Sequence, residues 1–190
     1  SSNVSTLLLV GPLRVFQITT HVSVREALER LTYERISHSI ENAHQLLFQL
    51  DQKKPRLAIS GLNPHAGENG SMGREEIDII KPAIESARQK GIDIEGPIPA
   101  DSMLGIGFRE KYSGLLFLMH DQANIGIKLL ADRYPPVTLA AGLRVIRTSV
   151  AHGTAFDIAY QGIADFRPMK QAILVAGQMA RIRVQDECKN

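Results

Sequence analysis

The chain of 190 residues has no tryptophan, 5% aromatic residues and a single cysteine. The lone Cys188, close to a polar tail, cannot close an intramolecular disulfide, so a reducing, cytoplasmic setting is the expectation. No apolar run approaches the ~20 residues that cross a bilayer. The SSNVS start also lacks the basic stretch that would turn LLLV into a secretion signal. An excess of one charge is missing as well. With 22 basic and 20 acidic residues the net charge is +2, too balanced for a nucleic-acid surface, which needs Lys and Arg clustered on one face. HExxH and CxxC spacings, the Gly-Lys-Ser/Thr of a phosphate-binding loop and the GxGxxG fingerprint are all absent. A nucleotide, if one binds, binds by another route.

What is present is an ordinary globular composition, 44% hydrophobic and 22% charged, with length for one well-buried core. The opening TLLLVGPLRVFQITT reads as strands over 5–10 and 13–19 around the Gly11-Pro12 turn, an entry into the middle of a sheet expected of a fragment of a longer chain. Ser23 with Glu26 makes a capping box for a short helix over VREALERL. The spacing of Ile36, Ile40, Ala43, Leu47 and Leu50 predicts a long amphipathic helix. After Pro55, RLAISGL reads as a buried strand, and Ile77, Ile80, Ile84 and Ala87 mark a helix stopped by Gly91. IDIEGPI, LLFLM, VTLAA and LRVIRTS read as strands, with PADS and HDQANIGIKLL between them, and TAFDIAYQ and PMKQAILVAGQMARIRV as two closing helices. Strands alternating with helices predict an α/β layered sheet.

Three histidines, His21, His65 and His120, each stand where a strand gives way to a loop, in ITTHVS, GLNPHAGENGSMGREE and LMHDQ. Side chains at the carboxyl ends of strands converge on one crevice, so the trio is read as a divalent-metal site. Separations of 44 and 55 residues leave the gathering to the fold. Asp121 beside His120, and Asp101 in a PxPAD turn, add carboxylates; imidazole suits zinc, and carboxylate oxygens admit magnesium or manganese. Asn63 to Gly73 is a Gly-rich loop fitted to tight turns, close ligand approach, anion binding or simple connection. Lys128 in IGIKLL and Arg147 in LRVIRTSV are charges in apolar surroundings, read either as snorkelling surface residues or as partners for a phosphate or carboxylate. His152 opens an HGT turn ahead of a supposed helix whose amides favour anions. His38 and His44, on the long helix, read as solvated surface residues.

Together, TTHVSVREA, GLNPHAGENGSMGREEID, GPIPADS, the MHDQ turn and LRVIRTSVAHGTAFDIA resemble the 4-hydroxythreonine-4-phosphate dehydrogenases of pyridoxal phosphate biosynthesis, from about residue 7 to about residue 182. The resemblance implies an α/β/α fold like that of the isocitrate and isopropylmalate dehydrogenases, working as a homodimer. It places a divalent metal (zinc, magnesium, manganese or cobalt) on His21, His65 and His120 at the subunit interface, with His120 from the partner chain. Lys128 and Arg147 match substrate contacts, as does position 138, where Thr138 replaces an Asn. Asp101 and Asp121 match acidic residues lining the site, and His152, Gly153 and Thr154 form the turn that would touch NAD or NADP. The implied division is a metal-binding and dimerisation part over 1–125 and part of a dinucleotide domain over 126–190.

The implied reaction is oxidation of a secondary alcohol by NAD or NADP, followed by loss of the carboxylate from the β-keto acid. Two departures bear on it. The resemblance implies an additional N-terminal region, not included in this sequence, that supplies part of the pocket. Ala123, Arg144 and Ala151 replace a Gly, a Pro and an Asp of the family pattern. HDQANIxIK with HGTAFDIA looks closer to the branch acting on D-threonate or D-erythronate 4-phosphate. A metal-binding dimerisation fragment without catalysis is the alternative from another class, and a phosphatase on the same ligands is a third.

Overall fold

A computed structural model describes residues 5–51, 53–110, 112–141, 143 and 145–187; Arg144 and Cys188 lie outside the described residues. The opening apolar runs form the hairpin β1 (Ser5–Val10) and β2 (Leu13–Gln17), with Leu7 opposite Phe16 and Val10 opposite Leu13. The remaining strands are β3 (Arg56–Ser60), β4 (Asp93–Ile98), β5 (Gly114–Phe117), β6 (Val137–Ala141) and β7 (Arg147–Val150). Among the described residues they make one seven-stranded sheet in the order β4-β3-β5-β2-β1-β6-β7. Four neighbours, β4, β3, β5 and β2, are parallel, and the other three add antiparallel pairings. Strand β5 is buried at all of its positions, as a strand covered on both faces must be.

Helices close both faces. On one lie α1 (Val24–Arg30), α2 (Tyr33–Asp51) and α3 (Lys81–Gln89). Ser23 caps α1, its hydroxyl accepting the Glu26 N–H at 3.2 Å. Ile36, Ile40, Ala43 and Leu47 of α2 are wholly buried against Leu7, Phe16, Ile59 and Leu116. Each such leucine or isoleucine adds roughly 1.5–3 kcal/mol by leaving water. On the other face α4 (Ala100–Glu110) and α5 (His120–Leu130) bring Met103, Ala123 and Ile127 onto Val15, Ala58, Leu115 and Phe117. Helix α6 (Arg167–Glu187) packs on β6 and β7, where Thr148 Oγ1 donates to the Ala172 carbonyl at 2.9 Å. The architecture is the expected three-layer α/β/α. No helix among the described residues is long and apolar enough to cross a membrane.

Several local expectations need correction. The PADS and HDQANIGIKLL segments, left unassigned between strands, open α4 and form α5. TAFDIAYQ is not a helix, for only Phe156–Ile158 makes a single tight turn, between left-handed residues at Ala155 and Tyr160 with φ of 50° and 62°. Its large side chains find no core, Phe156 being 83% exposed, and short helices depend on packing of an apolar face. In LRVIRTS, ladder pairing starts only at Arg147. His44 is not a solvated residue, because its Nδ1 is buried without a partner among the described residues.

Candidate metal centre at the strand ends

The parallel strands share a carboxyl edge, and each of four loops or helix starts beyond it carries a residue singled out from the sequence. His21 follows β2, His65 follows β3, Asp101 follows β4 and His120 begins α5 after β5. Because β5 lies between β3 and β2, the histidines of 44- and 55-residue separation come from three adjacent strands. Beyond β2 the chain keeps following β5, with the Ile18 and Thr19 amides donating to the Phe117 and Leu118 carbonyls at 2.9 and 3.2 Å. Thr19 Oγ1, buried, donates to the same Leu118 carbonyl at 2.7 Å. These bonds bring the β2 and β5 exits side by side.

The result is a pair of imidazoles in one chain: the rings of His21 and His120 have centroids 5.7 Å apart, tilted by 52°. Two imidazoles bound tetrahedrally to one ion through nitrogens at ~2.0–2.1 Å have ring centres about 5 Å apart, so this spacing fits a shared cation closely. Asp121 Oδ1 lies 2.7 Å from His120 Nδ1. A carboxylate only accepts, so in the neutral ring Nδ1 carries the proton and leaves the Nε2 lone pair free, the arrangement by which a carboxylate orients a metal-binding imidazole. Both rings, with Asp121, Thr19, Thr20 and Met119, line a hollow of about 120 Å³. That is less than the several hundred Å³ that a cofactor or substrate site encloses.

His65 stands apart from the hollow, its side chain 68% exposed and its Nδ1 3.8 Å from Glu68 Oε2. Among the described residues no three His, Cys, Asp or Glu side chains converge as a full ligand set. One chain therefore brings together two candidate ligands, His21 and His120, whereas the resemblance assigns His120 to a site shared with the partner chain; His65 stands apart from the pair. The turn bearing His65 is unusual: His65, Ala66, Gly67, Glu68 and Asn69 have φ of 52°, 53°, 75°, 39° and 57°. Left-handed backbone costs roughly 1–2 kcal/mol for each residue with a Cβ, and such strain concentrates at functional sites. His21 shares it, with φ 53°.

The other expected residues are more dispersed. Asp101 is exposed and its Oδ1 meets the Ser102 hydroxyl at 3.4 Å. Lys128 lies eight residues along α5 from His120, about 12 Å down the helix axis. Arg147 shares a ladder row with Ala140 and Thr6, on a strand three places and about 14 Å from β2. Both cations are exposed rather than buried in apolar surroundings. Thr138, half-buried, pairs with Leu8 and Ser149. His152, Gly153 and Thr154 are exposed beyond β7, which runs away from the histidine edge, and His152 Nδ1 is 2.8 Å from the Gly153 carbonyl. With no helix following, the helix-amide argument for anion binding at this turn lapses.

Two residues that the sequence reading passed over organise the site. Gln122 ties the β3 and β5 exits together, its Nε2 donating to the Gly61 carbonyl at 3.0 Å and its Oε1 accepting the Met119 amide at 3.1 Å. Glu76, 1% exposed, accepts the Leu62 and Asn63 amides on Oε1 at 2.8 Å each and the Asn63 side-chain amide on Oε2 at 2.8 Å. A signal was available for Glu76: it stands four residues before Ile80, on the stripe that continues through Ala83, Ile84 and Ala87, where a charge is out of place.

Known proteins resemble this chain in sequence and fold. A D-threonate 4-phosphate dehydrogenase of Pectobacterium atrosepticum is 41% identical over 180 residues, 95% of this chain and 55% of that protein. The crystal structure of a 4-hydroxythreonine-4-phosphate dehydrogenase from Klebsiella pneumoniae superposes with a TM-score of 0.84 at 40% identity, over 95% of this chain and 54% of that one. A β-decarboxylating dehydrogenase from Thermococcus kodakarensis shares the fold alone, with a TM-score of 0.55 at 14% identity over 85% of this chain and 52% of that one. The chain spans about half the length of the curated relatives it matches. Since the family model for the pyridoxal phosphate biosynthetic protein PdxA also matches residues 1–176, the chain belongs to the PdxA family.

Proposed function

We propose that this chain is the metal-carrying and dimer-forming part of an NAD- or NADP-dependent dehydrogenase that oxidises, with decarboxylation, a phosphorylated hydroxy acid of the 4-hydroxy-L-threonine 4-phosphate type. The carrying observation is the paired imidazoles of His21 and His120 at the common edge of the parallel strands. A divalent ion held there with His65 would supply Lewis-acid polarisation of an alcohol oxygen. The chain's own residues do the rest. Asp121 fixes the His120 tautomer, and Asp101 and Asp121 are the carboxylates available for proton transfer. Lys128, Thr138 and Arg147 hold the anionic and hydroxyl groups of the substrate, Arg147 through paired hydrogen bonds. His152, Gly153 and Thr154 meet the dinucleotide. In this reading residues 1–125 carry the metal and the dimer contact, and 126–190 part of the dinucleotide site.

The 12 and 14 Å offsets of Lys128 and Arg147 support a site completed by a second copy, since one chain does not bring them to its own histidines. The branch acting on D-threonate or D-erythronate 4-phosphate is favoured by Ala123 and Thr138 and by the name of the Pectobacterium relative. A second reading, a metal-binding dimerisation unit without turnover, is favoured by the small hollow and the half-length match.

Zinc titration of this chain tests the metal reading: His21→Ala and His120→Ala should each lower affinity by an order of magnitude or more, and unchanged binding would refute it. Mixing the two variants locates His120. If the ligands are shared across two copies, refolded mixtures recover about a quarter of the sites, because half the dimers are mixed and each has one intact site. If both come from one chain, none return. Nicotinamide reduction by this chain with the candidate acid phosphates separates the enzyme from the non-catalytic unit.

A further inference from the structure

We infer that Glu76 is the positioning residue of this centre: its buried carboxylate sets where the left-handed His65 turn stands, and through that turn the third imidazole. This rests on the metal reading of His65.

The carboxylate receives three N–H groups, two from the backbone of Leu62 and Asn63 and one from the Asn63 side chain. They lie two and three residues before His65. The turn then wraps the carboxylate itself, because a Cβ at Gly67 would stand 2.6 Å from Glu76 Oε2 and one at Gly61 would stand 3.3 Å from Oε1. On the far side Gln122 holds the Gly61 carbonyl at 3.0 Å and reaches the Met119 amide just before His120. The His65 turn is thus fastened from the α3 side by a charge and from the α5 side by an amide. A buried charge is a costly way to hold a turn that merely connects two elements. Four residues with a Cβ keep unfavourable φ here, and strained backbone persists only where its surroundings over-determine it. Fixing the position of an exposed imidazole at the same sheet edge as His21 and His120 accounts for both features.

Cobalt(II) titration, read by the visible spectrum of the bound ion, tests this on the unaltered chain, Glu76→Gln, His65→Ala and the double variant. Second-shell partners of metal ligands typically contribute 10–100-fold in affinity, so E76Q should bind cobalt at least about tenfold more weakly with its helical circular dichroism retained. On the H65A background the same change should have no further effect, as expected when one residue acts through the other. Wild-type affinity in E76Q, or a loss that adds in full to that of H65A, overturns the inference while leaving the metal reading intact. Wild-type affinity in H65A, or no cobalt spectrum from the unaltered chain, overturns both. Should E76Q fail to fold, Gly67→Ala presses on the same carboxylate from the turn side. Weakened binding by folded G67A supports the inference, and undiminished binding overturns it.

Discussion

Burial alone would push the Glu76 carboxyl up, but the Asn63 side-chain amide and the backbone N–H groups of Asn63 and Leu62 outweigh it and hold the group below its usual 4.5. The unfolded chain therefore binds this proton first as pH falls. Stability from the group is complete above about 4.5 and is lost as pH drops through the lower folded value. Urea midpoints should fall steeply in that acid range, and E76Q, less stable at neutral pH, should show a shallower fall. His44 has the same sign in a higher window. Burial, then the nearby Lys54 charge, lowers its pKa from 6.5, so stability is lost as pH falls through 6.5 toward the lower folded value. His44→Leu should flatten that limb of the curve, and an unchanged slope would show that His44 is not its source.

At the scale of elements, local chemistry at two junctions sets the positions of the site-bearing loops. Ser23 terminates the His21 loop by capping α1, and Ser23→Ala should cost about 1 kcal/mol, measured by thermal or urea unfolding. Gly96 in β4 has φ 142°, and a Cβ there would lie 2.5 Å from the Ile59 carbonyl oxygen. That neighbour is backbone rather than a side chain that can swing aside, so Gly96→Ala should destabilise by about 1–3 kcal/mol and disturb the β3 exit that carries His65. The alternation of elements, the α2 stripe and the cap at Ser23 were all legible in the sequence, because period and capping chemistry act over a few residues. Helices α4 and α5 were not, since their glycines and polar starts, PADS and HDQ, imitate loops and only their packing on Met103, Ala123 and Ile127 reveals them. TAFDIAYQ erred in the opposite sense, having helical composition and nothing to pack against. The histidine trio was legible as three strand ends. Its geometry was not, because which strands are neighbours, and that His21 and His120 adjoin while His65 stands off, depends on β5 entering between β3 and β2.

Over the whole molecule apolar exposure is uneven. Phe156, Tyr160, Ile163, Phe166, Ile173 and Leu174 are each more than half exposed, at 83, 107, 66, 71, 64 and 55%. They share the stretch that runs from the end of β7 into α6, whereas α2 and the central strands are tightly covered. An exposed apolar stretch of this extent is uncommon on a free-standing monomer. The folded chain should therefore brighten an apolar dye at neutral pH, and the pair Phe156→Ser with Leu174→Lys should lower that signal with little change in unfolding midpoint. Equal fluorescence from the variant would place the dye elsewhere.

The sheet order also carries a consequence for biosynthesis. The strand that joins the β2 and β3 exits, β5, is the last of the three to be made, so a nascent polypeptide holds His21 and His65 on two strands with a gap between them until residue 120 has left the ribosome. Capture of an ion at that edge would then mark completion of the central ladder, and colour from a cobalt-loaded chain would act as a clock for its closure.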